Sequence, residues 1–181
     1  VEDLSRLFVY YNTRTIENTV ELDQGATLRN TIKALAEIGT CREDMWPYVP
    51  ERFATKPDQA CYDYAKNHTI VDYSRIVSFQ DTIRCLASGY PFVFGFQVYS
   101  EFEGPLVAKT GVLNLPGPTE YCCGGHAVMA VGYDMDAGTV LVRNSWGTGW
   151  GQGGYFTMPF AYISNPNLAA DMWVIKKQLD S

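Results

Sequence analysis

Residues 124–155 read GGHAVMAVGYDMDAGTVLVRNSWGTGWGQGGY, and the rest of the chain is interpreted outward from them. Two short apolar runs lie within this stretch, at 127–132 and 139–142. Residues 133–138 between them are typical of a turn, so the runs predict an antiparallel β-hairpin. Because both runs are continuously apolar, we expect the hairpin to be buried on both faces.

Two polar side chains flank this predicted hairpin. His126 opens the first strand and Asn144 closes the second, so both should lie at the same end of the hairpin. A carboxamide beside an imidazole can hold the ring in one tautomer, which is what base catalysis requires of a histidine. A histidine on an apolar strand is more often a core residue, so the pattern alone leaves both a structural and a catalytic role open for His126 and Asn144.

The same stretch carries a family resemblance in its motifs. H-A-V-x-A-V-G-Y begins at His126, and N-S-W-G-x-x-W-G-x-x-G-Y follows at Asn144, 18 residues later. Together they resemble the His and Asn half of a papain-like cysteine peptidase. Two further segments are similar to bacterial members of that family, L-S-R-L-F-V-Y-Y-N from Leu4 and Trp46-Pro-Tyr. The resemblance covers nearly the whole chain.

Composition excludes several classes of partner. The 181 residues carry a formal charge of -6 without a cluster of Lys or Arg, which disfavours nucleic acid or an anionic membrane surface. No apolar run reaches the roughly 20 residues of a membrane span. We expect no cofactor and no metal, because none of the five cysteines stands in a zinc-ligand pattern. Secreted, periplasmic and cytoplasmic locations all stay open.

Hydrophobic periodicity and turn residues predict helices first and strands later, an α+β fold. The predicted helices begin near Leu4, after a cap at Asp3 or Ser5, and at 27–38, 58–66 and 81–87, and the predicted extended segments are 73–79, 91–99, 111–115, 156–158 and 171–175. The resemblance implies two lobes, a helical one over 1–77 that lacks the family's central nucleophile helix, and a lobe with an antiparallel sheet or barrel over 78–181. Together they would form one peptidase domain.

The resemblance implies peptide-bond hydrolysis by a thiolate–imidazolium pair. His126 would be the imidazole and Asn144 the residue that orients it. Trp146 would shield their hydrogen bond from water. The implied partner is a polypeptide substrate, and the implied enzyme is an endopeptidase.

The nucleophile does not follow from the sequence. The family places its cysteine roughly 130–150 residues ahead of the His and Asn, which falls before residue 1. Cys123 is three residues from His126 and should face away from it, while Cys122 should share its face about 13 Å along the strand. We therefore expect the cysteine on an N-terminal segment or companion chain, without which the first two helices would leave apolar faces uncovered.

The family pairs the substrate backbone with a Gly-Gly at the head of its second helix. This chain has Gly25-Ala26 there, so only the first glycine matches. By resemblance, Gly25, Ala26 and Thr27, with Gly125 and Ala127 beside the histidine, would bind substrate.

Two other functions fit parts of the pattern. One is an inactive papain-like pseudoenzyme or peptide-binding module, although the joint presence of His126, Asn144 and Trp146 disfavours long-standing loss of activity. The other is a Cys/His acyltransferase of the transglutaminase type, in which an Asp would be expected at the position of Asn144.

Overall fold

A computed structural model describes residues 3–178, and its helices and strands confirm the α+β prediction. The helices are α1 (Arg6–Glu17), α2 (Leu28–Glu37), α3 (Gln59–Ala65), α4 (Phe79–Ala87), α5 (Pro105–Thr110) and α6 (Phe160–Ile163), with a short 3-10 helix at Pro50–Arg52. The strands are β1 (Ile70–Ile76), β2 (Phe92–Tyr99), β3 (Cys122–Asp134), β4 (Thr139–Arg143), β5 (Tyr155–Pro159) and β6 (Ala169–Gln178).

Short-range signals account for the boundaries of the first two helices. The Ser5 hydroxyl caps α1 by accepting the Phe8 N–H at 3.1 Å, and Thr27 caps α2 in the same way through the Asn30 N–H. Gly39 follows α2 at φ 85°, where a side chain would run into the main chain of Ala65. The predicted start of α1 and the predicted start and end of α2 are therefore confirmed, whereas α1 continues to Glu17 through residues predicted to be looser.

The chain divides into two compact units. The first comprises the described residues up to Tyr73 and from Ile175 onward. Its core contains apolar residues of α1 and α3 with the connecting segment, namely Leu7, Phe8, Cys41, Trp46, Cys61 and Ala65. Leu7 and Phe8 are buried, as are Ile32 and Ala34 of α2. The expectation that α1 and α2 leave their apolar faces uncovered is wrong for these side chains.

The second unit spans Ser74–Val174 and contains the larger core. The strand order in the sheet is β1-β6-β2-β3-β4-β5, so β2 is central, as its apolar sequence predicts. Strands β2, β3, β4 and β5 pair antiparallel in succession. Phenylalanines on one face of β2 are fully covered, namely Phe92, Phe94 and Phe96.

Three local expectations are corrected in this unit. Residues 111–115 form no strand but only an isolated bridge from Val112 to Thr157, and the preceding segment is helix α5. The hairpin is buried on one face rather than two, since burial in β3 and β4 alternates along each strand. Helix α4 begins at Phe79, two residues earlier than predicted, because the Ser78 hydroxyl caps it through the Asp81 N–H.

None of the helices within residues 3–178 is long and apolar enough to cross a membrane.

Candidate active site

The antiparallel pairing of β3 and β4 brings His126 and Asn144 together. Arg143 pairs with Met129, so the next residue, Asn144, lies opposite Val128. His126 is two residues before Val128 and therefore on the same face of the sheet, diagonal to Asn144. Val128 is buried, which identifies this as the core face. The hairpin end predicted from the sequence is confirmed as the place where the two side chains meet.

A hydrogen bond joins the two side chains directly. His126 Nε2 lies 2.9 Å from Asn144 Oδ1. The same oxygen accepts the backbone N–H of Ser145 at 2.8 Å, which identifies it as the carbonyl oxygen rather than the amide nitrogen. Nε2 must therefore be the donor, and in the neutral ring Nδ1 is left as the basic nitrogen. The arrangement selects one tautomer of His126.

The loop after β4 holds Asn144 in place. Its backbone N–H donates to the Gly154 carbonyl at 2.9 Å, and the residue is 7% exposed. Gly151 is needed inside this loop, because at φ 59° a side chain there would collide with the Tyr155 carbonyl oxygen. The glycines of this motif thus shape the loop that positions the amide.

Aromatic rings surround the imidazole. Trp146 stacks on His126 with ring centroids 5.2 Å apart and planes inclined by 30°. Phe96 approaches the imidazole edge-on at 5.9 Å, and Phe102 lies at 6.2 Å. Trp146 is 44% exposed, so it covers the imidazole from the solvent side while Phe102, fully buried, supports both rings from below.

Sequence reasoning missed Phe96 and Phe102 as components of the site. Phe96 is the cross-strand partner of His126, a relation that depends on register and has no local signal. Phe102 lies in the turn between β2 and α5 and touches Trp150 and Phe156 as well. An aromatic residue just after a strand is too common to be singled out from sequence alone.

The substrate-binding candidates lie in different units. Gly125 and Ala127 are exposed residues of β3, paired with Gln97 and Gly95 of β2. Strand alternation places them on the face opposite to His126.

Gly25, Ala26 and Thr27 form an exposed segment that leads into α2. The Gly25 N–H donates to the Tyr10 hydroxyl at 3.1 Å, and the Thr27 N–H donates to Glu17 Oε1 at 3.0 Å. Within residues 3–178, the N–H and C=O of Ala26 and the C=O of Gly25 make no hydrogen bond. The segment therefore exposes unpaired main-chain groups to solvent, and they lie between the two hydrogen-bonded N–H groups of Gly25 and Thr27.

The cysteines of the first unit, Cys41 and Cys61, are packing residues. Both are buried in its core. Burial, with the neighbouring Cys61 thiol, raises the pKa of the Cys41 thiol to about 12, so it stays protonated at neutral pH.

The expected placement of Cys122 is wrong. The β2–β3 register shifts between Val98 and Tyr99, so that Cys122 pairs with Tyr99 and the intervening cysteine forms a bulge. The Cys122 thiol donates to the Gln97 side chain at 3.3 Å. Gln97 is exposed and faces away from its buried neighbour Phe96, the partner of His126. Cys122 therefore lies on the face opposite to the imidazole.

Cys123 is exposed beside acidic residues. Desolvation and the nearby Glu103 carboxylate raise the pKa of its thiol, which disfavours the thiolate that a nucleophile needs. In the part of the chain that the structure describes, no group of three His, Cys, Asp or Glu side chains is arranged to hold a metal ion.

Comparison with known proteins agrees with this fold. The family profile described as "Papain family cysteine protease" matches residues 21–172. The structure superposes on the crystal structure of xylellain, a cysteine protease from Xylella fastidiosa, with a TM-score of 0.88 and 44% sequence identity, covering 96% of this chain and 70% of that one. The two-lobed α+β fold and the paired histidine and asparagine define the class, papain-like cysteine peptidases. The chain belongs to the papain family.

Two curated relatives support the assignment. An uncharacterized peptidase C1-like protein of Acanthamoeba polyphaga mimivirus is 44% identical over 185 residues, which cover 97% of this chain and 60% of the relative. A cathepsin B-like protein of Giardia intestinalis is 31% identical over 143 residues, covering 74% of this chain and 46% of the relative. The chain thus spans about half to three fifths of the length of these curated relatives.

Proposed function

We propose that this chain is the His/Asn part of an endopeptidase that cleaves peptide bonds by covalent thiol catalysis. The observation that supports this most is the hydrogen bond from His126 Nε2 to Asn144 Oδ1, whose direction is set by the Ser145 N–H. Nδ1 is then available to exchange a proton with a thiol and with a leaving group.

In the proposed reaction, a cysteine gives its proton to Nδ1 of His126 and the thiolate attacks the scissile carbonyl carbon. The C–N bond breaks as the imidazolium returns that proton to the leaving amine, which leaves a thioester. Water then attacks the thioester carbonyl while Nδ1 accepts its proton, and collapse releases the carboxylic acid and the thiol. Asn144 orients the ring throughout, and Trp146 keeps water from their hydrogen bond.

We place the nucleophilic cysteine outside residues 1–181, on an N-terminal segment of the same protein or on a companion chain. Four of the five cysteines of this chain support that placement. Cys41 and Cys61 are buried, and the Cys122 thiol lies on the face opposite to His126. Desolvation and acidic neighbours disfavour the Cys123 thiolate.

The substrate would be an extended polypeptide that pairs with the main chain at Gly25–Thr27. The free C=O of Gly25 and the free N–H and C=O of Ala26 are what such a strand needs. Residues 1–77 and 78–181 would serve as the two lobes of a single peptidase domain, with Gly125 and Ala127, which adjoin His126 in the sequence, also contributing to substrate binding.

The test uses the complete natural protein that contains this sequence. Intact mass is measured before and after an epoxide-type thiol inhibitor, together with cleavage of a fluorogenic peptide that has an apolar residue second from the cut. We expect one label on a cysteine outside residues 1–181, with loss of turnover. His126→Ala should lower turnover by about 10³-fold, while His68→Gln, at the chain's other histidine, should not.

Protein that takes no label and cleaves no peptide would overturn the proposal in favour of an inactive peptide-binding module. Incorporation of amines into glutamine substrates would instead identify an acyltransferase.

A further inference from the structure

Three polar residues of α1 share one face of that helix. Tyr10, Arg14 and Glu17 follow an i, i+4, i+7 spacing, which aligns them along two turns. Each contacts a different part of the loop that connects α1 to α2. The three residues, here called the α1 stripe, thus hold that loop along its length.

Arg14 holds the first part of the loop. Its guanidinium is fully buried and donates to the carbonyl oxygens of Val20 at 2.5 Å and Leu22 at 3.4 Å. It lies 3.9 Å from the centroid of the Tyr10 ring. Nη1 makes both of these hydrogen bonds, while Nη2 donates to the Phe53 carbonyl and Nε has no partner among the described residues. The buried Nη1 fixes the path of Val20 and Leu22, because their displacement would leave it unpaired.

Tyr10 holds the middle of the loop. Its hydroxyl donates to Asp23 Oδ1 at 2.7 Å and accepts the Gly25 N–H at 3.1 Å. Gly25 has φ 84°, a conformation that glycine adopts without strain. The hydroxyl therefore fixes the main chain at the start of the proposed substrate segment.

Glu17 holds the end of the loop and the start of α2. Its Oε1 accepts three hydrogen bonds, from the Thr27 N–H at 3.0 Å, the Thr27 hydroxyl at 2.6 Å and the Asn30 amide at 2.9 Å. Desolvation opposes ionisation of Glu17, but these hydrogen bonds outweigh it and hold the pKa of the carboxyl below its usual value. A charged acceptor makes each of them stronger than a neutral one would.

We propose that the α1 stripe is a positioning device that holds Gly25–Thr27 in the conformation a substrate peptide pairs with, and that Glu17 is its principal member. The inference rests on the proposed substrate-binding role of this segment. The stripe accepts the N–H groups of Gly25 and Thr27 and makes no hydrogen bond to the N–H or C=O of Ala26. The main-chain groups of Ala26 are therefore available to the peptide, and the residues on both sides of them are held in place. Preorganisation of this kind lowers the entropy lost on binding.

The experiment compares Glu17→Ala, Glu17→Gln and Tyr10→Phe in the complete protein. Two matched controls are Glu37→Gln, an exposed carboxylate at the end of α2, and Tyr11→Phe, the tyrosine next to Tyr10. The measurements are kcat and KM for the fluorogenic peptide, the rate of inactivation by iodoacetamide, and residue-resolved amide exchange. Iodoacetamide is too small to use the segment, so the rate at which it abolishes turnover depends on the catalytic thiol and not on pairing with Gly25–Thr27.

Glu17→Ala should raise KM for the peptide about tenfold with little change in kcat, because a charged acceptor of three hydrogen bonds is lost. Glu17→Gln should fall between Glu17→Ala and the natural protein. The Thr27 amide should exchange faster in the Glu17 variants and the Gly25 amide faster in Tyr10→Phe. The iodoacetamide rate and both controls should match the natural protein.

An unchanged KM in Glu17→Ala and Tyr10→Phe, in protein that is otherwise active, would overturn this inference and leave the proposed function standing. A parallel loss of peptide turnover and iodoacetamide reactivity would also overturn it, since it would indicate general structural damage. Natural protein without turnover or label would overturn the proposed function and, with it, this inference.

Discussion

The carbonyl oxygen of Asn144 serves two donors, the Ser145 N–H and His126 Nε2. An sp² oxygen has two lone pairs, and each accepts one of these hydrogen bonds. Rotation of the side-chain amide by 180° would lose both. Its Nδ2 is buried and has no hydrogen-bond partner among the described residues. Asn144 therefore leaves its Nδ2 donor unpaired, while its Oδ1 holds the His126 imidazole in one tautomer.

At this scale we predict the effect of Asn144→Ala in the complete protein. Loss of the carbonyl oxygen frees the imidazole to rotate, and kcat for the peptide should fall by about 10²-fold because the proton-transfer geometry is lost. Steady-state kinetics measures the effect. Asn67→Ala removes an exposed amide and serves as the matched control. A kcat within twofold of the natural value in Asn144→Ala would show that Asn144 does not orient the histidine.

At the scale of elements, backbone hydrogen bonds fix the conformation of the glycine-rich loop 144–155. The Gly151 N–H donates to Ala108 at the end of α5 at 2.7 Å, and the Gly154 N–H donates to Trp150 at 2.7 Å. Trp150 in turn packs edge-on against Trp146 at 5.3 Å. The backbone of this loop and the aromatic cover of His126 are thus parts of one packed arrangement.

The prediction for this loop concerns Gly151→Ala. The methyl group would collide with the Tyr155 carbonyl oxygen at a positive φ, so the free energy of unfolding should fall by about 1–3 kcal/mol. Gly149→Ala is the matched control, because a side chain at Gly149 would meet nothing within 4 Å. Urea denaturation measures both variants. Equal stability of the two would show that the loop adapts without strain.

At the scale of the whole molecule, stability should depend on pH through paired carboxylates. Glu43 accepts the Arg6 guanidinium at 3.0 Å and the Tyr48 N–H at 2.7 Å. Desolvation opposes its ionisation, but these interactions outweigh it and hold the pKa of the carboxyl below its usual 4.5. A lowered folded-state pKa contributes stability that is present above pH 4.5 and is lost as pH falls through the folded-state value.

We therefore expect the urea midpoint to decrease from pH 6 to pH 3. Glu43→Gln should lower stability at pH 6 by about 1 kcal/mol, and its decrease toward pH 3 should be smaller than that of the natural protein. Part of the decrease should persist, because the pKa of Glu17 is also lowered. Glu37→Gln is the control. An unchanged pH dependence in Glu43→Gln would contradict the assignment.

Features with a local signal could be predicted from the sequence, and those that depend on register could not. Ser5, Thr27 and Gly39 mark helix ends by their own chemistry, and the His126–Asn144 pairing follows from a hairpin with a clear turn. Helix α5 was not predicted although it has such a signal, namely Pro105 at its first position and Gly111 just beyond its last.

The β-bulge before Gly124 carries no comparable mark. It reverses the face on which Cys122 lies, so counting residues from His126 gave the wrong side. The contacts of Glu17 with Thr27 and Asn30 depend on how a loop returns to its helix, which no periodicity reveals.

The position of β6 within the sheet bears on how the protein is made. This strand is the last among the described residues, yet it lies between β1 and β2 and pairs with β2 through Phe92 and Val174. During synthesis, β1 and β2 leave the ribosome with the backbone between them unpaired, and the gap closes only after residues 169–178 have emerged. A polypeptide truncated before residue 169 would leave β1 and β2 each with an unpaired edge where β6 normally binds. Unpaired strand edges of this kind promote aggregation.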